Sequence, residues 1–363
     1  MRGCSCLEVR SFRLTIVLLI SSSSLAACWM PTARAADFSE FVFLENTDSG
    51  TVSVVSIPAH EVTSTIEIGK YLDDVAASID GRVIYVNRVE SMGHPLSKRA
   101  GNSGEIVAVS TQTEEVLWRV PIDGWPHHMT VSADDRWLFV PLFDRMYVAI
   151  VDIAKRQVVH HLPAPMGTHG TRLSSNGRRL YVGSMLMDMI VVYEVASRMP
   201  IGRIAFGDGV RPFAMTADEK RLFVQLSRLN GFQVVDLEQR KIIRQVDLPS
   251  LPPDIELPEF YPHTYNHGLE ISPDEKHLLA ACSAAHQVCV YRLPELELVK
   301  SIPVGKEPNW IGFDSAGQFA YVSNRMSDTF SVIRMDELTE VKQVAVGDYP
   351  QRLRVVTVPE RVK

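Results

Sequence analysis

One phrase recurs six times between Asp80 and Val322, and it restricts the chain to very few folds. Each copy sets a polar turn ahead of a short apolar strand: DGRVIYV at Asp80, DDRWLFV at Asp134, NGRRLYV at Asn176, DEKRLFV at Asp218, DEKHLLA at Asp274 and SAGQFAYV at Ser315. Measured at Tyr85, Phe139, Tyr181, Phe223, Leu279 and Tyr321, the spacings are 54, 42, 42, 56 and 42 residues. A period near 42, rich in β-branched and aromatic residues and with a turn at fixed phase, predicts four-stranded propeller blades. A helical repeat would need apolar residues three and four apart over ten or more positions, a pattern this sequence lacks.

Phasing the strands within each repeat gives seven of every kind. The innermost strands are predicted to start at Asp73, His127, His169, Arg211, His267, Asn309 and Gln351, and Phe41 to Asn46 supplies a seventh second strand. Phe41 to Val55 aligns with Phe319 to Ile333 without a gap but has no innermost strand before it, whereas Gln351 to Val356 is an innermost strand with nothing after it. The prediction is an all-β, seven-bladed β-propeller over residues 36–363, closed by N- and C-terminal strands that share one blade and so protect its edges.

Residues 1–35 read as an address. Arg2, Arg10 and Arg13 precede an apolar centre from Leu14 to Ile20 and a small-residue approach to cleavage, the order of a secretory signal peptide. Ala33-Arg34-Ala35 fits an ordinary cleavage site. Leu25-Ala26-Ala27-Cys28 resembles a bacterial lipobox, with Cys28 as a lipid anchor. Both readings predict export, to the periplasm or outside the cell in the first case and as an outer-membrane lipoprotein in the second. No later apolar run is long enough to span a bilayer. In an oxidising compartment Cys282 and Cys289, placed opposite each other across a hairpin, are either a cross-strand disulfide or two buried thiols. A net charge of -6 with a pI near 6.0 argues against nucleic-acid binding, which needs a basic stripe.

The seven matched positions at the start of the innermost strands face the channel axis. All are polar or charged: Asp73, His127, His169, Arg211, His267, Asn309 and Gln351. A shift of one residue would substitute neighbours such as Asp74, His128 or Trp310. Imidazoles converging from separate strands suit a divalent metal, with Asp73, Asn309 or Gln351 completing the shell. They equally suit a general base beside an arginine that neutralises an anion, or a channel that is merely wet.

The two longer spacings place insertions at Arg88 to Glu105 and Pro249 to Asn266, both predicted to rise over the same channel mouth. They bring His94, Lys98, Arg99, Glu256, Glu259, Tyr261, His263 and Tyr265 to that face. Arg88, Arg145, Arg228, Arg325 and Arg352 lie there too, so a carboxylate or phosphate ligand is expected.

GRRLYVGS, GRVIYVNR and QFAYVSNR, each after a strand opening near a Gly/Pro turn, resemble the YVTN-repeat family of seven-bladed β-propellers over about residues 38–357. Related propellers include lactonase-like proteins, virginiamycin B lyase and oligogalacturonate lyase, and the resemblance implies histidines and a divalent metal on the channel face. His267-Gly268-Leu269-Glu270 is similar to the HGxE openings of lyase-like members, which implies that His267 and Glu270 assist an elimination.

Residues and resemblance together predict a metal-assisted lyase or lactonase acting on a small anionic or sugar-acid substrate. His127, His169 and His267 are the expected metal ligands, with His267, Tyr265, Arg211 and Glu270 as catalytic groups and Asp73, Arg88, Asn309, Gln351 and Arg352 as ligand-binding groups. The alternative is a non-enzymatic propeller that binds a protein or glycan partner on its loop-rich face.

Overall fold

The computed structural model describes residues 38–89, 103–251 and 264–359. Seven four-stranded antiparallel sheets form the blades of a propeller. We number the blades from the one that contains both termini: Pro350–Pro359 is its innermost strand, followed by Phe38–Asn46, Thr51–Ser56 and Glu61–Glu67. The closing register runs from Phe38 opposite Pro359 to Leu44 opposite Leu353. The predicted ring closure is therefore present.

The six sequence phrases are second strands, and their central aromatic or leucine is buried in every blade. Successive residues of a strand point to opposite faces of its sheet. Both faces of a blade are covered by its neighbours, so a continuous apolar run such as IYV or LFV is what the position requires. Phe43, Val54, Val75, Val86 and Val107, for example, come from two adjacent blades and form one core cluster.

The turn before each phrase has a repeated chemistry. Ser78, Ser132, Ser174, Thr216 and Ser272 each donate a hydroxyl to the side chain two residues on, at 2.6–2.9 Å. That side chain, Asp80, Asp134, Asn176, Asp218 or Asp274, also accepts the N–H two residues further along. This local ring ties the turn to itself. The residue after the Asp or Asn has positive φ, as at Gly81 (+70°), Asp135 (+54°) and Glu275 (+54°). A side chain at Gly81 would place its Cβ 2.0 Å from the Thr357 carbonyl oxygen, so glycine is obligatory there. Where the site is roomier the side chain reaches the preceding blade: Asp135 accepts from Ile79 N–H and Glu275 from Ala217 N–H.

Two innermost strands start later than predicted, Thr130–Val131 in the third blade and Leu269–Ile271 in the sixth. In the third blade, the His128 N–H donates to the His169 carbonyl and its own carbonyl accepts from Thr171 N–H. The backbone there leaves its blade and pairs in parallel with the next innermost strand at Gly170. The Cys282 and Cys289 side chains meet diagonally instead of directly opposite, because Cys289 pairs with Ala280 and Cys282 with Gln287. Both side chains are buried, with sulfurs 2.6 Å apart.

Candidate functional site

Innermost strands of neighbouring blades converge on the axis, so equivalent positions form rings. All seven predicted ring residues are buried, from Asn309 at 0% to Gln351 at 8% exposed. The next position contributes as well: Asp74, His128, Trp310 and Arg352 pack into the same centre. Both registers are thus used. The His127-His128 and Asp73-Asp74 doublets were the sequence signal for this second layer.

Four imidazoles lie together. Ring centres of His127 and His169 are 5.3 Å apart, His169 and His267 5.7 Å, His128 and His169 4.1 Å, and His128 and His267 6.0 Å. Ligand nitrogens of His127, His128 and His169 fall within 4.8 Å of one another, a grouping that takes in His128 and leaves out the predicted ligand His267. His127 lies beside Trp125 and Phe143, with its Nδ1 2.9 Å from the Asp73 Oδ2 contributed by the neighbouring blade. His267 Nδ1 faces the Asn309 carbonyl at 3.3 Å. His169 Nδ1 is buried without a hydrogen-bond partner among the described residues, as are both amide atoms of Asn309.

Burial is the largest influence on these groups. It pushes His128, His169 and His267 well below the ordinary imidazole range; Arg352 adds to the shift of His128 and His267, and His127 and Arg211 to that of His169. Burial also raises Asp74 to about 6 and, helped by the nearby Asp73, lifts Glu45 well above the ordinary carboxyl range. Arg352 is lowered to about 10, again by burial, and stays charged at neutral pH. Neutral imidazoles are metal ligands or proton acceptors. A buried imidazole nitrogen with no hydrogen-bond partner among the described residues, beside a histidine whose Nδ1 lies 2.9 Å from a carboxylate, fits a three-imidazole metal site with an outer carboxylate.

Other predicted residues have partners of their own. Arg211 donates Nε to Ser227 Oγ at 2.9 Å, and Gln351 donates to Thr47 Oγ1 at 2.7 Å. Tyr265 is half-buried, two residues before His267. Glu270 lies further down the channel and pairs with Arg172 at 2.9 Å. The basic rim is largely neutralised: Arg88 pairs with Glu105, Arg145 with Asp123 and Asp144, and Arg325 with Glu307. The partners are local to each blade: Glu105 stands opposite Arg88 on the adjacent strand, Asp144 precedes Arg145, and Glu307 lies in the loop that enters the blade of Arg325. Arg352 differs, stacking on Trp310 at 3.8 Å with Nη2 2.9 Å from His128 Nδ1. Of the residues predicted for the two insertions, His94, Lys98, Arg99, Glu256, Glu259, Tyr261 and His263 lie outside the described residues, as do residues 1–35, expected to be a leader, with Cys28.

Below this centre the channel holds a cavity of about 450 Å³, lined by His128, Trp310, Thr171, Arg172, Glu270 and Arg354 among others. A cavity of about 820 Å³ near Trp137 and Arg198 lies on the turn side, between the third and fourth blades. Similar grooves recur at three further blade junctions, so they are products of the repeat. The channel chamber is the one joined to the histidines.

The sequence profile described as "Lactonase, 7-bladed beta-propeller" matches residues 75–354. No curated protein matches the chain in sequence. Among solved structures, the periplasmic gluconolactonase of Pseudomonas aeruginosa is 18% identical, with a TM-score of 0.70 over 88% of this chain and 100% of that one. Hydrazine synthase of Kuenenia stuttgartiensis is 16% identical, with a TM-score of 0.63 over 80% and 96%. A Lactobacillus plantarum protein is 14% identical, with a TM-score of 0.69 over 88% and 100%. At these identities the likeness is one of fold, and the fold carries more than one chemistry.

Proposed function

The chain belongs to the lactonase family of seven-bladed β-propellers, and on that premise we propose that it opens the cyclic ester of a small hydroxylated acid at its histidine centre. In this reading His127 and His169, whose ligand nitrogens lie within 4.8 Å of each other, hold a divalent metal, with His267, outside that grouping and 5.7 Å from His169 between ring centres, as the third ligand. The observation that carries it is the convergence of buried imidazoles from separate blades, those of His169 and His267 held neutral by burial, with Asp73 against His127 and the Asn309 carbonyl against His267.

The overall reaction adds water across the ester: a C–O bond forms at the carbonyl, the ring C–O bond breaks, and the product is a hydroxy acid. A bound divalent ion supplies Lewis acidity, polarising the carbonyl and acidifying water. The protein's own groups do the rest. Burial keeps His169 and His267 unprotonated and available, Asp73 Oδ2 faces His127 Nδ1, and the cationic Arg211 and Arg352 offset negative charge that develops at the carbonyl oxygen. The gluconolactonase similarity supports a sugar-acid lactone as substrate. The leader supports export, which fractionation of cells producing the full chain tests.

The deciding experiment measures metal content of the purified protein by mass spectrometry and hydrolysis of glucono-1,5-lactone by pH-stat. About one equivalent of metal, with hydrolysis lost on chelation and restored on reloading, is the expected result. No metal after incubation with zinc, manganese, nickel and copper, together with no hydrolysis, would sink the reading in favour of a propeller that binds a protein or glycan.

A further inference from the structure

The four histidines are not equivalent, and Arg352 is the reason. A guanidinium has donors only, so the 2.9 Å contact from Arg352 Nη2 requires His128 Nδ1 to be the unprotonated acceptor. With Nδ1 taken up as the acceptor, the imidazole's one proton sits on Nε2. That nitrogen takes part in none of the described hydrogen bonds, and His128 lines the 450 Å³ channel chamber. The guanidinium has little freedom to let go, being stacked on Trp310 with its own backbone N–H donated to Glu45 Oε1.

A nitrogen that carries a proton cannot bind a metal, and one that accepts from an arginine is already occupied. Proximity alone groups His127, His128 and His169, but hydrogen bonding removes His128 from that set. Ring separations agree: two imidazoles sharing a tetrahedral ion hold their centres about 5 Å apart, as His127 and His169 do, whereas His128 and His169 are packed edge to face at 4.1 Å.

We propose that Arg352 is a positioning residue that locks His128 as an Nε2–H donor, keeping it out of the metal set and presenting it to a ligand oxygen in the channel chamber. The ligand class is a hydroxylated carboxylic acid or its lactone, whose carbonyl or carboxylate oxygen accepts from Nε2–H. The metal-set part rests on the proposed function above; the tautomer part does not.

The test is a long-range ¹H–¹⁵N spectrum of the ¹⁵N-labelled, metal-free protein, with the His128 signals identified by their loss in His128→Phe. Protonated Nε2 with bare Nδ1 is expected. Arg352→Lys, which still donates, should retain that pattern, and Arg352→Met should lose it. A His128 protonated at Nδ1 in the parent, or unmoved by Arg352→Met, would overturn the proposal. If His128→Phe does not fold, the signals that respond to Arg352→Met but not to Arg352→Lys make the identification. Zinc stoichiometry of His128→Phe should equal that of the parent, and its loss would place His128 in the metal set against the proposal. Gluconate affinity measured by calorimetry should fall about tenfold in His128→Phe, the value of one neutral hydrogen bond; an unchanged affinity refutes the donor role. If the parent binds no zinc at all, the metal reading fails while the tautomer and gluconate results still decide this one.

Discussion

The two ends of the propeller channel are built from the same strands on opposite principles. On the turn side five blades repeat one hydroxyl-to-Asx ring, with distances that differ by only a few tenths of an ångström. On the mouth side the seven equivalent positions hold Asp73, His127, His169, Arg211, His267, Asn309 and Gln351, with only histidine recurring. A turn has one local problem to solve, and every blade solves it alike. A closed ring of strand starts converges on one volume, so its members can be different and complementary. Repetition marks where the scaffold is made, and its breakdown marks where a site can be assembled.

Substitutions at each end should therefore have separable effects. Gly81→Ala attacks the turn side alone and should cost about 3 kcal/mol or more, because a left-handed φ and a backbone clash add together. Denaturant unfolding measures that loss, and metal bound per folded molecule should not change. His169→Ala is the opposite case. Metal affinity should drop by about 100-fold or more with a small change in Tm, since the removed Nδ1 has no hydrogen-bond partner among the described residues. If both variants lost stability and metal together, the separation would fail.

Asp73→Asn sharpens the mouth side. It keeps the shape but removes the charge facing His127, and should weaken metal binding by about 10-fold, read by competition with a chelating dye. Asp74 gives a pH signature. Its folded pKa of about 6 lies above the ordinary 3.8, so ionising it opposes folding. That penalty is absent below pH 3.8, grows through pH 6 and is complete above it. Asp74→Asn should thus gain on the order of 1 kcal/mol at pH 8 and nothing at pH 3.5, and thermal unfolding at the two pH values checks the sign. The smallest effect is expected at Asp274, half-exposed on a turn, where Asp274→Ala should cost about 0.5 kcal/mol.

The fold was legible because its signals are local. A turn followed by an apolar strand, repeated at a set period, specifies blades. The unmatched strands at the two ends specify closure. The polar ring was legible for the same reason, since strand register has a period of two and carries a position from blade to blade.

What the ring residues do to one another is a different matter. His128 and Arg352 are 224 positions apart in the chain, and Arg172 and Glu270 are 98 apart. Only ring closure brings them within hydrogen-bond reach. Closure turned Glu270 towards Arg172 and made His128 the partner of a buried guanidinium. The sequence by itself determined seven blades, their closure and a polar, histidine-rich ring, because these follow from short-range patterning. Tertiary structure alone decided which histidine accepts, which donates and which is left for a ligand, because protonation and pairing depend on distances across the channel and on burial that no local pattern encodes.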